Sequence, residues 1–234
     1  MSPIVSDQEQ DQPGVLRVLR TKSEARAFYN KIARVYDFLS ESSEEPIRSF
    51  GVEKLGVRDG ERVLEIGFGT GTSLVELARK VGSRGKVFGA DIADQMLDVA
   101  RQKLRDNGLE DRVEIICADA TALPYLSDSM DAIFTSFTLE LFDTPEIPVV
   151  LAECRRVLRP GGRLAVISMS KEGENGAILH IFEWTHKHFP NFLDCRPIFV
   201  RKAIQEAGFQ IESAERKTMW VPVEVVLGRK AATR

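Results

Sequence analysis

Residues 63–72 constrain the fold of this chain more than any other part of its sequence. A short, mostly apolar run over residues 63–66 is followed by three alternating glycines, Gly67, Gly69 and Gly71. Apolar residues at helical spacing come directly afterwards, so the pattern predicts a strand, a tight turn and the start of a helix. Turns of this kind direct backbone N–H groups at an anionic or polar ligand, and glycine allows the ligand to approach the backbone.

The spacing of the glycines separates two ligand classes that use such a turn. Dinucleotide-binding folds carry G-x-G-x-x-G/A, in which the third small residue packs the helix against the strand. Here the glycines read G-x-G-x-G, and Thr72 stands where the dinucleotide pattern requires a small residue. A nicotinamide-dependent oxidoreductase is therefore kept only as an alternative function.

Acidic residues occur at the glycine turn and at the ends of the next two predicted strands. Glu65 precedes the first glycine by two positions, Asp91 lies near the end of the predicted strand 86–92, and Asp119 ends the predicted strand 113–119. The carboxyl ends of parallel strands meet at one edge of a sheet, so we expect these acids to lie near one another. A carboxylate suits a ribose diol because it offers two oxygens to two hydroxyl groups.

Taken together, these residues resemble the class I S-adenosylmethionine-dependent methyltransferases. The resemblance extends to residues 131–136 and 158–164 and covers about residues 60–169, and within the superfamily the chain is most similar to the small quinone and lipid methyltransferase branch. It implies S-adenosylmethionine as methyl donor, S-adenosylhomocysteine as product, and a small, apolar or aromatic acceptor such as a quinone precursor, a phenol or a lipid headgroup. A non-catalytic S-adenosylmethionine-binding protein is a further alternative.

The order of the predicted elements indicates an α/β, doubly wound, Rossmann-like fold. Strands and helices alternate at a spacing that predicts a parallel sheet with right-handed crossovers. The resemblance implies seven strands, mostly parallel with an antiparallel last strand, with helices on both faces and extra N-terminal helices as a lid. The predicted helices after the glycine turn span residues 72–81, 94–106, 145–158, 176–188 and 198–207, and the closing strand pair spans residues 209–219 and 222–227.

We divide the chain into three parts. Residues 1–14 are polar and predicted to be disordered, residues 15–57 form the N-terminal helical lid, and residues 58–234 form the methyltransferase domain, with an acceptor-site insertion at about 170–198. An acidic stretch at residues 41–45 is expected to interrupt the N-terminal helices. The basic side of the first helix indicates either a solvated back or a face that contacts anionic lipid at a membrane periphery.

The resemblance assigns roles in donor binding to individual positions. Glu65 is expected to hold the methionine ammonium, Asp91 the ribose hydroxyls and Asp119 the adenine amino group. The other expected donor contacts are Tyr36, Gly67, Phe68, Gly69, Gly71, Ile92, Met96, Ala120, Ser136 and Phe137. Methyl transfer by in-line displacement depends chiefly on alignment, so the catalytic residues stay unknown. Tyr36 and Glu140 are the candidates, and Glu140 can equally be read as a solvated loop acid.

Composition narrows the partners and the compartment. The net charge of −3 argues against general nucleic-acid binding, and the three cysteines are too far apart for a disulfide framework. With no signal-peptide pattern we expect a cytoplasmic protein. His186 and His188 do not have the i, i+4 spacing of a helical metal pair, so no metal is expected. The aromatic residues between His180 and Phe199 indicate either an apolar acceptor lining or ordinary core packing.

Overall fold

The computed structural model describes residues 15, 17, 18, 20–172, 196–219 and 221–232, with residues 32–43 described by their backbone alone. Two short 3-10 helices, Glu110–Arg112 and Leu139–Leu141, lie between the main elements. The described helices and strands, numbered in chain order, are α1 (Lys22–Leu55), β1 (Arg62–Ile66), α2 (Thr72–Lys80), β2 (Lys86–Asp91), α3 (Asp94–Asp106), β3 (Val113–Cys117), β4 (Met130–Ser136), α4 (Ile147–Val157), β5 (Leu158–Met169), α5 (Val200–Glu206), β6 (Phe209–Thr218) and β7 (Pro222–Lys230).

One seven-stranded sheet organises the molecule, in the order β3-β2-β1-β4-β5-β7-β6. Strands β1 to β5 pair in parallel, whereas β7 is antiparallel to both β5 and β6. The predicted doubly wound sheet with an antiparallel last strand is therefore confirmed. The chain winds outward from β1 to β3 and then returns to β4 on the other side of β1. The switch point where doubly wound folds bind ligands thus lies between β1 and β4.

Two apolar clusters cover the two faces of the sheet. Along β1, Val63 belongs to the cluster that contains Leu74 of α2, whereas Leu64 belongs to the cluster that contains Leu151 of α4. Both residues are fully buried. A central parallel strand is apolar at successive positions because helices cover it from both sides. This explains why Val63 and Leu64, adjacent in β1 and packed on opposite faces of the sheet, are both apolar.

Helix α1 differs from its predicted form. The acidic break expected at residues 41–45 is absent, and a single helix of 34 residues runs through it and through Pro46. A proline inside a helix removes one backbone hydrogen bond and favours a kink. The C-terminal half of α1 is nevertheless held in the core through the fully buried Val52 and Leu55. We attribute the continuous helix to this packing, which local sequence patterns do not reveal.

The remaining differences are at element ends. Strand β5 begins at Leu158 rather than at Gly162, because Leu158 already pairs with Met130 before the register shifts. Strand β7 continues to Lys230, three residues beyond its predicted end. The predicted helix over residues 176–188 lies outside the described residues. Within the part of the chain that the structure describes, no helix combines the length and the apolar character that a bilayer span requires.

Candidate functional site

A large cavity opens at the carboxyl ends of β1 to β4, at the switch point of the sheet. The turn after β1 forms its floor, the ends of β2 and β3 form one wall, and the N-terminal half of α1 lies across it. Together with its open mouth it holds about 1310 Å³. Its lining combines backbone, carboxyl and apolar groups, the mixture that small-molecule sites commonly present.

The three glycines of the turn serve different purposes. Gly67 has a φ of 68°, and a Cβ added there would lie 2.3 Å from the side chain of Thr138. Gly69 has a φ of 52°, and its missing side chain would point into open space. A Cβ on Gly71 would meet Ala100 of α3 at 2.9 Å. Gly67 and Gly69 line the cavity, whereas Gly71 lies behind its wall and allows α2 and α3 to pack closely.

Glu65 is the most unusual acid of the cavity. Its side chain is buried, and its Oε2 atom has no hydrogen-bond partner among the described residues. Burial raises the pKa of Glu65 to about 8, against the opposing effects of the Arg48 charge and a hydrogen bond from Ser73. A buried carboxyl oxygen without a partner is costly and is uncommon in folded proteins. At the wall of a cavity, it is suited to accept from a cationic group of a ligand.

Asp91 ends β2 and holds the glycine turn in place. Its Oδ2 atom accepts from the N–H of Gly69 at 2.9 Å, and its Oδ1 atom accepts from the N–H of Ala93 at 2.9 Å. Burial raises the pKa of this carboxyl, while the backbone donors act in the opposite direction. Each carboxylate oxygen can accept a second hydrogen bond, so both remain able to accept a hydroxyl group from the cavity side.

Asp119 follows β3 and is held by two neighbours. Its Oδ1 atom accepts from the backbone N–H and the hydroxyl of Thr121 at 2.9 and 2.8 Å, and its Oδ2 atom accepts from Lys22 Nζ at 2.6 Å. Burial would raise the pKa of this carboxyl, but the hydrogen bonds from Lys22 and Thr121 hold it below its usual value. Asp119 is therefore ionised, and Lys22 of α1 donates a hydrogen bond to one of its two oxygens.

Most of the other predicted donor contacts also lie at the cavity, whereas Gly71, which was predicted among them, does not line it because it packs against Ala100. Phe137 adopts a left-handed conformation with a φ of 51°, a strained geometry for a residue with a side chain and one that clusters at functional sites. The Ser136 hydroxyl is buried and has no partner among the described residues. Of the predicted contacts whose side chains the structure describes, those lining the cavity are Glu65, Gly67, Phe68, Gly69, Asp91, Ile92, Met96, Asp119, Ala120, Ser136 and Phe137.

Glu140 is not the solvated loop acid that the sequence allowed. It lies in the 3-10 helix after β4, is completely buried, and accepts from the backbone N–H of Met169 at 3.2 Å. Burial raises the pKa of Glu140 to about 7. The fully buried Arg196 donates to the backbone oxygen of the same residue at 2.9 Å. Glu140 stays a candidate for proton transfer, although it lies behind the cavity lining rather than on it.

Helix α1 contributes side chains that sequence reasoning missed. Glu44 and Arg48 form an i, i+4 ion pair at 3.2 Å, and both line the cavity together with Tyr29 and Lys22. An alternation of acidic and basic residues in a helix is ordinary on a solvated surface, so no local signal marked these positions. Only the packing of α1 across the carboxyl edge of the sheet brings them to the site.

Several sequence predictions concern side chains outside the described part of the chain. The side chain of Tyr36 lies in the part of α1 whose backbone alone is described, and His180, His186 and His188 lie in the segment 173–195. Their predicted roles stay predictions. Among the described residues, no group of three histidine, cysteine or acidic side chains is arranged to hold a metal ion.

The chemistry of the cavity fits the donor that the sequence resemblance implies. A ligand carrying an ammonium group, a ribose diol and an adenine amino group needs three acceptors along one path. Asp91 and Asp119 offer carboxylate acceptors and Glu65 offers a carboxyl acceptor on successive strands, and the buried Oε2 atom of Glu65 has no hydrogen-bond partner among the described residues. Gly69 leaves open space beside the turn, where a ligand can approach the backbone.

Comparison with known proteins identifies the family of this chain. Residues 63–162 match the family described as "Methyltransferase domain". The ubiquinone/menaquinone biosynthesis C-methyltransferase UbiE of Serratia proteamaculans is 35% identical over 180 residues, which are 71% of this chain and 69% of that protein. The chain belongs to the class I S-adenosylmethionine-dependent methyltransferase family. Within the family it falls in the branch of the ubiquinone/menaquinone biosynthesis proteins.

Other curated relatives match a smaller share of the chain. The UbiE protein of Hahella chejuensis is 37% identical over 158 residues, and the matched part is 66% of this chain and 63% of that protein. The chain thus spans about three fifths of the length of several curated relatives it matches.

Solved structures at low sequence identity share the fold. The cyclase SpnF superimposes with a TM-score of 0.75 at 17% identity, covering 94% of this chain and 99% of that one. A SAM-dependent methyltransferase from Aquifex aeolicus gives a TM-score of 0.64 at 22% identity, with coverage of 84% and 97%. The named activities of these two neighbours differ, so the fold by itself does not determine the reaction.

Proposed function

We propose that this protein binds S-adenosylmethionine in the cavity and transfers its methyl group to a small apolar or aromatic acceptor, of which a quinone precursor is the first candidate. The proposal rests on the buried Oε2 atom of Glu65 at the glycine turn, which has no hydrogen-bond partner among the described residues. Glu65 lines the same cavity as Asp91 and Asp119. The names of the curated relatives, C-methyltransferases of ubiquinone/menaquinone biosynthesis, support a carbon acceptor of the quinone class.

Each acid of the path has a distinct task in the proposal. Glu65 accepts from the methionine ammonium, Asp91 from the two ribose hydroxyls, and Asp119 from the adenine amino group. Ile92 and Met96 pack against the adenine faces. The bound donor supplies a methyl group on a positively charged sulfur. The acceptor attacks the methyl carbon in line with the carbon–sulfur bond, and the sulfur leaves as a neutral thioether. The main work of the protein is then to hold the donor and acceptor in that line and to exclude water.

The acceptor end of the cavity is assigned to the region beyond Ser136 and Phe137. The cavity continues there to the apolar side chains of Leu141 and Phe142. An aromatic ring seated against them would lose its contact with water, which favours a weakly polar acceptor. A carbon acceptor must also lose a proton, and Glu140, which lies behind the cavity lining, is the candidate for receiving it through water.

The first experiment is a calorimetric titration with S-adenosylhomocysteine of the wild type and of Asp91→Asn. Asparagine keeps the size of the side chain and one oxygen for the turn, whereas Asp91→Ala would remove both acceptors of the Gly69 and Ala93 N–H groups. The loss of charge-assisted bonds to two hydroxyls should weaken binding roughly 10- to 100-fold. Asp98→Asn, on an acid whose side chain is 79% exposed on α3, is the matched control and should bind as the wild type does.

The outcomes separate the candidate functions. If the folded wild type binds no donor or product, the methyltransferase proposal is wrong. Binding without methylation of any quinol, phenol or lipid headgroup would favour the non-catalytic alternative. A screen of these acceptors with labelled S-adenosylmethionine, read as transfer of label, then identifies the acceptor class.

A further inference from the structure

The N-terminal segment crosses the cavity and is fastened to its rim by charged side chains. Arg17 forms an ion pair with Asp143 at 2.8 Å, on the loop after β4. Further along, Arg26 donates to Asp94, the first residue of α3, at 3.0 Å. Between these two points Lys22 reaches the cavity itself. The segment is thus attached on both sides of the site by contacts that are at least partly exposed.

Lys22 makes three hydrogen bonds to oxygen atoms. Its Nζ atom lies 2.6 Å from Asp119 Oδ2, 3.0 Å from Thr121 Oγ1 and 2.9 Å from Glu146 Oε1. An ammonium group has three protons to donate, so these acceptors satisfy it completely. The hydrogen bonds to Asp119 and Glu146 raise the pKa of Lys22, although partial burial acts to lower it.

The position of Lys22 is built into the start of α1. The preceding residue, Thr21, is the N-cap of the helix, and its side chain accepts from the N–H of Glu24 at 3.3 Å. In return the Glu24 carboxylate accepts from the N–H of Thr21 at 2.8 Å, which completes a capping box. The capping box fixes the first turn of the helix, and with it the direction from which Lys22 enters the cavity.

We propose that Lys22 is a latch that competes with the adenine group of the donor for the carboxylate of Asp119. The inference rests on the proposed function, in which Asp119 accepts from the adenine amino group. Thr121 already takes both hydrogen bonds of the Oδ1 atom, so Oδ2 is the oxygen that faces a ligand. Lys22 takes one of the two acceptor positions of Oδ2 and neutralises the carboxylate charge, so an adenine amino group meets a weaker acceptor while Lys22 is bound.

Glu146 makes the latch reversible. When adenine displaces Lys22 from Asp119, the ammonium keeps its second carboxylate partner at Glu146 and is not left without a counter-charge. The side chains of Lys22 and Asp119 are 42% and 33% exposed. Ion pairs of that exposure contribute little to stability, so the latch is weak enough for a ligand to open. In the absence of donor it holds α1 across the cavity.

The test compares the affinity of S-adenosylhomocysteine for the wild type and for Lys22→Met, by calorimetry. Methionine keeps the apolar stem and removes the charge. If Lys22 competes for Asp119, the variant should bind roughly two- to fivefold more tightly, the effect expected from an ion pair of this exposure. Lys22→Gln, a second uncharged variant, should give the same direction. Equal or weaker binding by both variants would overturn the proposal.

Arg26→Met is the matched control. Arg26 also fastens α1 to the rim, through Asp94, but it does not line the cavity. Its loss loosens the segment and leaves Asp119 occupied, so the affinity should stay within the error of the wild-type value. A gain equal to that of Lys22→Met would contradict competition at Asp119.

The dependence of the S-adenosylhomocysteine affinity on ionic strength is an independent test of the latch. Raising the ionic strength from about 0.05 to about 0.5 M screens a partly exposed ion pair, so the affinity of the wild type should rise towards that of Lys22→Met. S-adenosylhomocysteine is the suitable probe because its sulfur carries no charge. A gap between the two proteins that does not change with salt would count against the latch. If no variant and no wild-type sample binds the probe, the proposed function itself fails.

Discussion

At the scale of single residues, the environment of Glu65 has the largest consequences for pH. Burial raises its pKa from 4.5 to about 8 in the structure. Between these two pH values the folded protein holds a proton that the unfolded chain has released. The stabilisation from this group is therefore complete below about pH 4.5 and is lost as the pH rises to about 8.

A Glu65→Gln variant tests this linkage without ligand. Glutamine stays neutral at every pH, so its melting temperature should exceed that of the wild type by an amount that grows from about pH 5 to about pH 8. Thermal unfolding at a series of pH values measures the difference. Glu45→Gln, at an exposed position of α1, is the control and should follow the wild type. Parallel curves for Glu65→Gln and the wild type would show that Glu65 is already ionised in the folded state.

The positions of the site residues could be predicted where a motif places them and not where packing does. The glycine spacing and the acids at the strand ends were sufficient to find Glu65, Asp91 and Asp119, all of which line the cavity. Nothing local distinguished Lys22 or Arg48 from the other basic residues of a charged helix. The buried state of Glu140 likewise depends on Met169 and Arg196, which are distant in sequence.

At the scale of elements, α1 is held at its C-terminal end by a buried ion pair. Arg163 of β5 donates to Glu61 at 2.6 Å and to the backbone oxygen of Leu55 at 2.8 Å, and both charged side chains are almost fully buried. The guanidinium thus satisfies a carbonyl at the end of the helix. Towards its other end α1 packs against the core through Tyr29, and charged contacts fasten it at the cavity rim.

Replacing Arg163 by methionine should destabilise the protein by about 3–5 kcal/mol, because Glu61 would remain as a buried charge without its partner. Urea unfolding measures the free-energy change. The double variant Arg163→Met with Glu61→Gln should recover much of the loss. Arg159 lies on the same strand as Arg163, has a side chain that is 53% exposed, and forms an ion pair with Asp131 of β4. Arg159→Met should therefore lower the free energy of unfolding by less than about 1 kcal/mol. Equal effects of the two arginine variants would contradict the argument.

At the scale of the whole molecule, the donor should stabilise the fold by mass action. At a concentration about 100 times its dissociation constant, S-adenosylhomocysteine should add about 2.7 kcal/mol. For a chain of 234 residues that corresponds to a rise in melting temperature of roughly 5–10 °C. Differential scanning fluorimetry measures it. NADH at a saturating concentration is the control ligand and should produce no shift. A shift with NADH alone would restore the oxidoreductase alternative.

The amino-acid sequence by itself determined the doubly wound sheet, the glycine turn and the acids along the ligand path. These features follow from short-range patterns, namely the alternation of strands and helices and the residues that occupy strand ends. The tertiary structure alone decided that α1 continues through Pro46, that it crosses the cavity, and that Lys22 meets Asp119, 97 positions away in the chain. Packing energies between distant segments set these features, and no local propensity records them.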